Sequence, residues 1–174
     1  GITISKSLSK NAFELAAEGK TPMFVALGPT CKGIIAVADT IKKDSIKAVH
    51  KLKEAGISVW MITGDNERTA QQIANEVGIT NVLSGVMPQE KAQKVVALKE
   101  QNKSQAVAFV GDGVNDAPAL ASADVGIALG TGTDVAIESA GITLLSHDLQ
   151  SVSSALSLSR HTMRVIKQNL FWAF

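Results

Sequence analysis

The stretch "GDGVNDAP", residues 111–118, places Asp112, Asn115 and Asp116 within five residues of one another, directly after the apolar run "AVAFV". Carboxylates at the mouth of a buried strand are costly unless a cation or a phosphate compensates them. Gly111 and Gly113 let the chain turn sharply there. Asp112 is then a hard oxygen ligand suited to Mg²⁺, which takes one or two carboxylates and keeps several waters. Asn115 can donate to a phosphoryl oxygen, and Asp116 can hold a lysine in place. A plain Asp-rich loop is the alternative, but the length of the "GDGVNDAPAL" string argues against chance.

Two further stretches suit the same chemistry. In "MITGDN" an apolar run gives way to Thr63, Gly64 and Asp65, a hydroxyl and free backbone N–H groups where a helix opens. Such a corner binds phosphate, although Thr, Asp and Asn also cap helices for purely structural reasons. Lys91 stands near the start of a helix opened by Pro88, against the preference of the helix dipole. That position suits a lysine with another task, yet Lys94 and Lys99 nearby match a merely solvated face. Together the three groups fit phosphoryl transfer, which needs positioning, Mg²⁺ and fixed positive charge.

The elements that must hold these loops are legible as an alternation. "TPMFVAL" and "KGIIAVA" read as two strands joined by "GPT", with Cys31 in the turn between them. "KKDSIKAVHKLKEAG" reads as a helix with Asp44 as N-cap and Gly56 as its stop. Then follow "ISVWMI" as strand, "NERTAQQIANEVG" as a helix ending at Gly78, and "PQEKAQKVVALKEQ" as a helix with Pro88 at its first position. "AVAFV" and "VGIAL" are strands around a short helix over "DAPALAS". "TDVAIESA" is a helix, "ITLL" a strand, and a long helix starts near Asp148. Apolar strands alternating with helices predict an α/β fold with a parallel sheet covered on both faces, and ligands at the carboxyl ends of its strands.

Composition agrees with that fold class. The chain has 174 residues, 45% hydrophobic and 19% charged, with 14 Gly and 4 Pro, which excludes a disordered chain. A formal net charge of +1 gives no bulk attraction for nucleic acid. The single cysteine excludes an internal disulfide and fits a reducing compartment. No signal peptide is visible at the start, and Gly1 in place of Met predicts a cut piece. The tail "SRHTMRVIKQNLFWAF" groups Arg160, His161, Arg164 and Lys167 ahead of Leu170, Phe171 and Trp172. Basic residues before an aromatic apolar run suit a helix approaching a bilayer from the cytoplasmic side. An amphipathic helix folded onto the domain is the other reading.

"MITGDNERTAQQIANEVGI", the Pro88–Gln89–Glu90–Lys91 segment and "VGDGVNDAPALASADVGIALGTGTDVAIESAGITLL" resemble the phosphorylation domain of heavy-metal-transporting P-type ATPases, of the haloacid dehalogenase superfamily. The form "QNLFWAF" is more similar to the copper-transporting branch than to the zinc and cadmium one. The resemblance implies a Rossmann-like parallel sheet of the haloacid dehalogenase type, with a C-terminal helix leading toward a membrane span. It implies residues 1–38 as the end of a nucleotide-binding domain, 39–155 as the phosphorylation domain, and 156–174 as a linker helix running into a membrane helix. Carried over by match, Thr63 and Gly64 hold phosphoryl oxygens and Asp65 assists at the nucleotide or hinge side. Lys91 stabilises developing charge, Asn115 reaches the phosphoryl group, and Asp112, Gly113 and Asp116 form the Mg²⁺ site, Asp112 and Asp116 supplying its ligands. The cofactors implied are Mg²⁺ and ATP. The implied partners are the actuator, nucleotide-binding and membrane domains of the same ATPase, the membrane itself and Cu⁺, with the present segment on the cytoplasmic face.

One departure is large. The family's phosphorylated aspartate lies in Asp-Lys-Thr-Gly-Thr, and no such string occurs in residues 1–174. A sheet without that central strand must close the gap, recruit a strand or expose two edges, and exposed edges invite association. The chain alone is therefore expected to be inactive and to be marginal or self-associating. Asp39 follows an apolar strand, but Ile41 stands where an acid or Thr belongs, and Thr40 replaces the hinge proline. The competing readings are a soluble phosphatase of the same superfamily using Asp39, and a non-catalytic module binding Mg²⁺ and phosphate.

Overall fold

The computed structural model describes residues 2–18, 20–37, 41, 43–130 and 134–173. Asp39 and Thr40 lie outside the described residues. Helix α1 (Lys6–Ala17) leads into the antiparallel hairpin β1 (Thr21–Leu27) and β2 (Thr30–Val37). Next come α2 (Lys43–Glu54), β3 (Trp60–Ile62), α3 (Glu67–Val77) and β4 (Asn81–Leu83). A 3₁₀ turn over Pro88–Glu90 opens α4 (Lys91–Gln101), followed by β5 (Ala108–Gly111) and a 3₁₀ turn over Val114–Asp116. The remainder is α5 (Ala117–Ser122), β6 (Val125–Leu129), α6 (Asp134–Ser139), β7 (Ile142–Leu144) and α7 (Gln150–Ala173).

The expected α/β order holds, with α1 and β4 as elements the sequence did not indicate, Pro88 in a 3₁₀ turn ahead of α4 rather than at its first position, and further differences of detail. Cys31 lies in β2 rather than in the turn, its buried thiol directed at the Gly33 carbonyl. Asp44 falls inside the first turn of α2 instead of capping it, and accepts from Gln150 Nε2 at 3.0 Å. The strand expected over residues 57–62 pairs only at Trp60, Met61 and Ile62, because β4, its sole partner among the described residues, is itself three residues long.

The parallel strands do not form one sheet. β3 pairs with β4, and β5–β6–β7 form a second sheet, with no ladder between the two among the described residues. Of the three outcomes open to a chain without the central strand, this is the exposed pair of edges. Each half has its own core. Val49, Ala74, Val77 and Ile79 gather beneath β3 and β4, while Ile127, Leu129 and Val152 gather where α7 covers β5–β6–β7. The halves meet through α2 against α7, where Arg160 also donates to the Ala55 carbonyl at 3.2 Å, and through the contacts of α4 with α5.

On the other face of the larger sheet, Ala119 and Leu120 of α5 are buried against β6. The approach is so close that a Cβ on Gly126 would stand 2.6 Å from the Leu120 carbonyl oxygen. Backbone cannot swing aside as a side-chain tip can. Gly126→Ala is expected to push α5 off the sheet and cost about 2 kcal/mol, as overpacking in a core does, read as a lower urea midpoint with an unchanged slope.

At the end of β5 remote from its carboxyl terminus, Asp124 accepts from Val107 N at 2.8 Å and pairs with Lys99 at 2.9 Å. The backbone hydrogen bond first, and the lysine second, hold its carboxyl below the usual aspartate value. The pair pins the turn from α5 into β6.

Candidate phosphoryl-binding rim

The three predicted loops are built after the carboxyl ends of β3, β4 and β5, where a parallel sheet leaves backbone groups unpaired. After β3, Thr63 N donates to the Leu83 carbonyl at 2.9 Å and Val86 N to the Thr63 carbonyl at 3.0 Å. Gly85 N donates to the Asp65 carbonyl at 2.8 Å, so residues 63–65 are laced to the loop after β4. The Thr63 hydroxyl donates to Asp65 Oδ2 at 2.7 Å and accepts from Asp65 N at 3.1 Å. Gly64, between them, is exposed. The helix itself opens where the "NERTAQQIANEVG" stretch places it, just beyond these three residues. Asn66 is the N-cap of α3, its side chain accepting from Thr69 N at 3.0 Å.

The loop laced to residues 63–65 runs directly into the segment bearing Lys91. There Met87 N donates to Glu90 Oε2 at 2.9 Å, and Pro88 occupies the first position of the 3₁₀ turn. Lys91 is thus set at the start of α4, and its ammonium reaches Asp116 Oδ1 at 2.7 Å. The two side chains are 20% and 12% exposed, so little water screens the pair. A cation at a helix N-terminus opposes the dipole; the Asp116 carboxylate offsets that.

Asp116 is buried within its own loop. Its backbone N donates to the Gly113 carbonyl at 3.0 Å, and its side chain lies over Gly111. A Cβ on Gly111 would stand 2.8 Å from both Cβ and Oδ2 of Asp116. Neither Gly111 nor Gly113 has a positive φ. What Gly111 supplies is room for Asp116, a different reason from the sharp turn that the sequence suggests.

Asp112 and Asn115 project from the same loop as exposed side chains, and Gly113 is half-buried. Lys91 and Asp116 are therefore in contact, Thr63 and Asp65 are in contact, and the two sets are joined through residues 83–90. No three His, Cys, Asp or Glu side chains among the described residues are grouped to hold a metal by themselves. That donor set fits a hard cation which keeps its waters and shares substrate phosphate oxygens, as Mg²⁺ does, and not a cation needing an all-protein cage. The residues to which the sequence assigned no role at the rim are Asn66 and Glu90. Both act through backbone capping, and the signal for each was a polar side chain three residues from the N–H it accepts from or the residue it braces.

Residues 3–124 match the family described as haloacid dehalogenase-like hydrolase. The chain is 55% identical over 160 residues to the copper-exporting P-type ATPase of Bacillus subtilis (strain 168), covering 92% of this chain and 20% of that protein. It is 51% identical over 173 residues to the copper-exporting P-type ATPase of Staphylococcus aureus (strain bovine RF122 / ET3-1), covering 99% and 21%. It thus spans about a fifth of the length of these relatives. Among solved structures, a zinc-transporting PIB-type ATPase in its E2.Pi state superposes with a TM-score of 0.80 at 37% identity, covering 95% of this chain and 27% of that one. With the match spanning most of its length and the split parallel sheet carrying the expected loops, the chain belongs to the haloacid dehalogenase-like hydrolases.

Proposed function

We propose that this chain supplies the Mg²⁺- and phosphate-binding loops of a P-type ATPase that couples ATP hydrolysis, through an aspartyl-phosphate, to export of Cu⁺ across a membrane. The observation that carries the reading is the Lys91–Asp116 pair at 2.7 Å, held at the rim beside the exposed Asp112. The similarity to copper-exporting relatives supports the choice of ion. In this reading residues 1–38 close a nucleotide-binding domain, 39–155 form the phosphorylation domain, and 156–174 lead to the membrane. The last boundary falls inside the unbroken α7.

Asp112 would hold Mg²⁺, which neutralises charge on the transferring phosphoryl group. Thr63 would turn its hydroxyl from Asp65 to a phosphoryl oxygen while the bare Gly64 backbone admits the group closely. Lys91 would place fixed positive charge where negative charge grows, and Asn115 would donate a further hydrogen bond. Asp116, with one oxygen on Lys91 and its side chain packed on Gly111, would act chiefly by aiming the ammonium, and its second oxygen would be available as a further Mg²⁺ ligand. ATP and the nucleophilic aspartate would come from the actuator-to-nucleotide-binding portion of the same ATPase, the whole embedded in a membrane with this segment at its cytoplasmic face.

The test is phosphorylation from labelled ATP. The 174-residue chain alone should take up no acid-stable, hydroxylamine-labile label. A complete ATPase bearing this segment should take it up in a Cu⁺-stimulated manner, and Asp112→Ala should lower that turnover about 10²-fold or more. Label on this chain alone, lost with Asp39→Ala, would overturn the reading, as would stimulation by Zn²⁺ in place of Cu⁺.

A further inference from the structure

The distal two-thirds of α7 touches almost nothing. Residues 157–173 are exposed on every side, a rod of about 25 Å at 1.5 Å per residue. Arg160, Arg164, Lys167 and Phe171 recur at spacings of four, three and four, so they share one stripe of that rod. They line an open trough together with Met163. The helix contains no Asp or Glu from end to end. Among the described residues neither Arg164 nor Lys167 has a carboxylate within ion-pair reach, and Arg160 meets only the Ala55 carbonyl. In a chain whose net charge is only +1, this is a concentrated and uncompensated positive line.

The stripe ends in apolar surface. Leu170 is 54% exposed, Phe171 74% and Trp172 83%, the two rings meeting edge to face. Among the described residues no helix is long and apolar enough to cross a membrane. Lys and Arg stems lie along apolar surface while their charged ends reach phosphates, and aromatic rings settle at the level of lipid headgroups.

We propose that the Arg160–Arg164–Lys167 stripe is a docking surface for the phosphate headgroups of anionic lipids at the cytoplasmic face of a bilayer, with Phe171 and Trp172 seated just below them. The proposal rests on the reading that α7 meets a membrane, and adds that the contact selects for anionic lipid. The charge explains why the occupant is a bilayer and not a soluble phosphate: three cations spread over eight residues of helix match a plane of headgroups better than one small anion.

The test is flotation of the 174-residue chain with phosphatidylcholine vesicles, with or without about one-third phosphatidylglycerol, reading Trp172 emission against a Trp172→Phe control. Binding to the anionic vesicles should exceed binding to neutral ones by an order of magnitude or more, since each basic residue near such a surface contributes about fivefold. Arg160→Gln/Arg164→Gln/Lys167→Gln should remove that preference, whereas Lys10→Gln/Lys94→Gln/Lys103→Gln, with the same change in charge, should keep it. The far-UV circular dichroism of both variants serves as the check on folding. Soluble glycerol phosphate should not compete. Equal binding to both vesicles, or loss with the control triple variant, would overturn the headgroup site while leaving the phosphorylation reading untouched. Binding to neither vesicle would overturn it too.

Discussion

Fusing one more parallel strand, ending in Asp-Lys-Thr-Gly-Thr, to this chain will turn a self-associating species into a monomer with a single cooperative melt. The expectation follows from the two sheets. β3–β4 and β5–β6–β7 each end in an edge with unpaired backbone groups, and such edges recruit other chains. A two-stranded piece of three residues per strand is too small to be stable unaided. Trp60, at the start of β3, is 40% exposed. A five-residue apolar strand burying two or three large side chains contributes roughly 5 kcal/mol before entropy, comparable to the whole stability of a small domain. The same segment would carry its aspartate to the rim between Thr63 and Asp112. Light scattering coupled to gel filtration, together with thermal unfolding, checks this. A fusion strand of equal length but polar throughout is the control, and a sharp monomeric melt of the chain without any fusion would contradict the expectation.

Replacing Lys91 by Met should be the most damaging single change at the rim. It leaves the buried Asp116 carboxylate unpaired, and removing one partner of such a pair costs about 3 kcal/mol. The side chains keep some exposure, 20% and 12%, so the lower end of the range applies. Lys91→Met/Asp116→Leu should recover much of the loss, because an apolar pair carries no desolvation cost. Lys91→Arg separates stability from chemistry. It keeps a charge partner for Asp116, and the melt should move little. Its planar fork, however, cannot deliver a compact ammonium to the same point, so if the proposed function holds, phosphoryl turnover in the complete protein should still fall 10²-fold or more. Equal losses of stability in the Met and Arg variants would show that packing, not charge, governs the site.

The sequence was most informative where a physical demand is local. Alternating apolar runs gave nearly every helix and strand, since periodicity depends only on near neighbours. Asp116 was legible as a residue able to hold a lysine, and the structure sets it on Lys91, where a cation at a helix start is offset by an anion. Other features were hidden for specific reasons. α1 buries only Ala12 deeply, so it shows no apolar stripe. β4 is three residues, too short for a period of two to register. In "TGDN" four consecutive residues can each cap a helix, and only the fold chooses Asn66. The need for Gly111 comes from a side chain five residues away folding back over it. The division of the sheet is a matter of which strands meet, which no window of sequence contains.

α7 ties the core to its own far end. Its first turns, at Val152 and Leu156, are embedded in the core beneath β6, and no Gly or Pro interrupts it before Ala173. Such a helix resists bending at any intermediate point. From Val152 to its far end is about 32 Å. A rocking of the β5–β6–β7 half by about 10°, of the kind that accompanies closure around a ligand, would carry the aromatic tip sideways by about 6 Å at that arm length. The domain is in effect bolted to a crank, so events at the rim cannot stay confined to it.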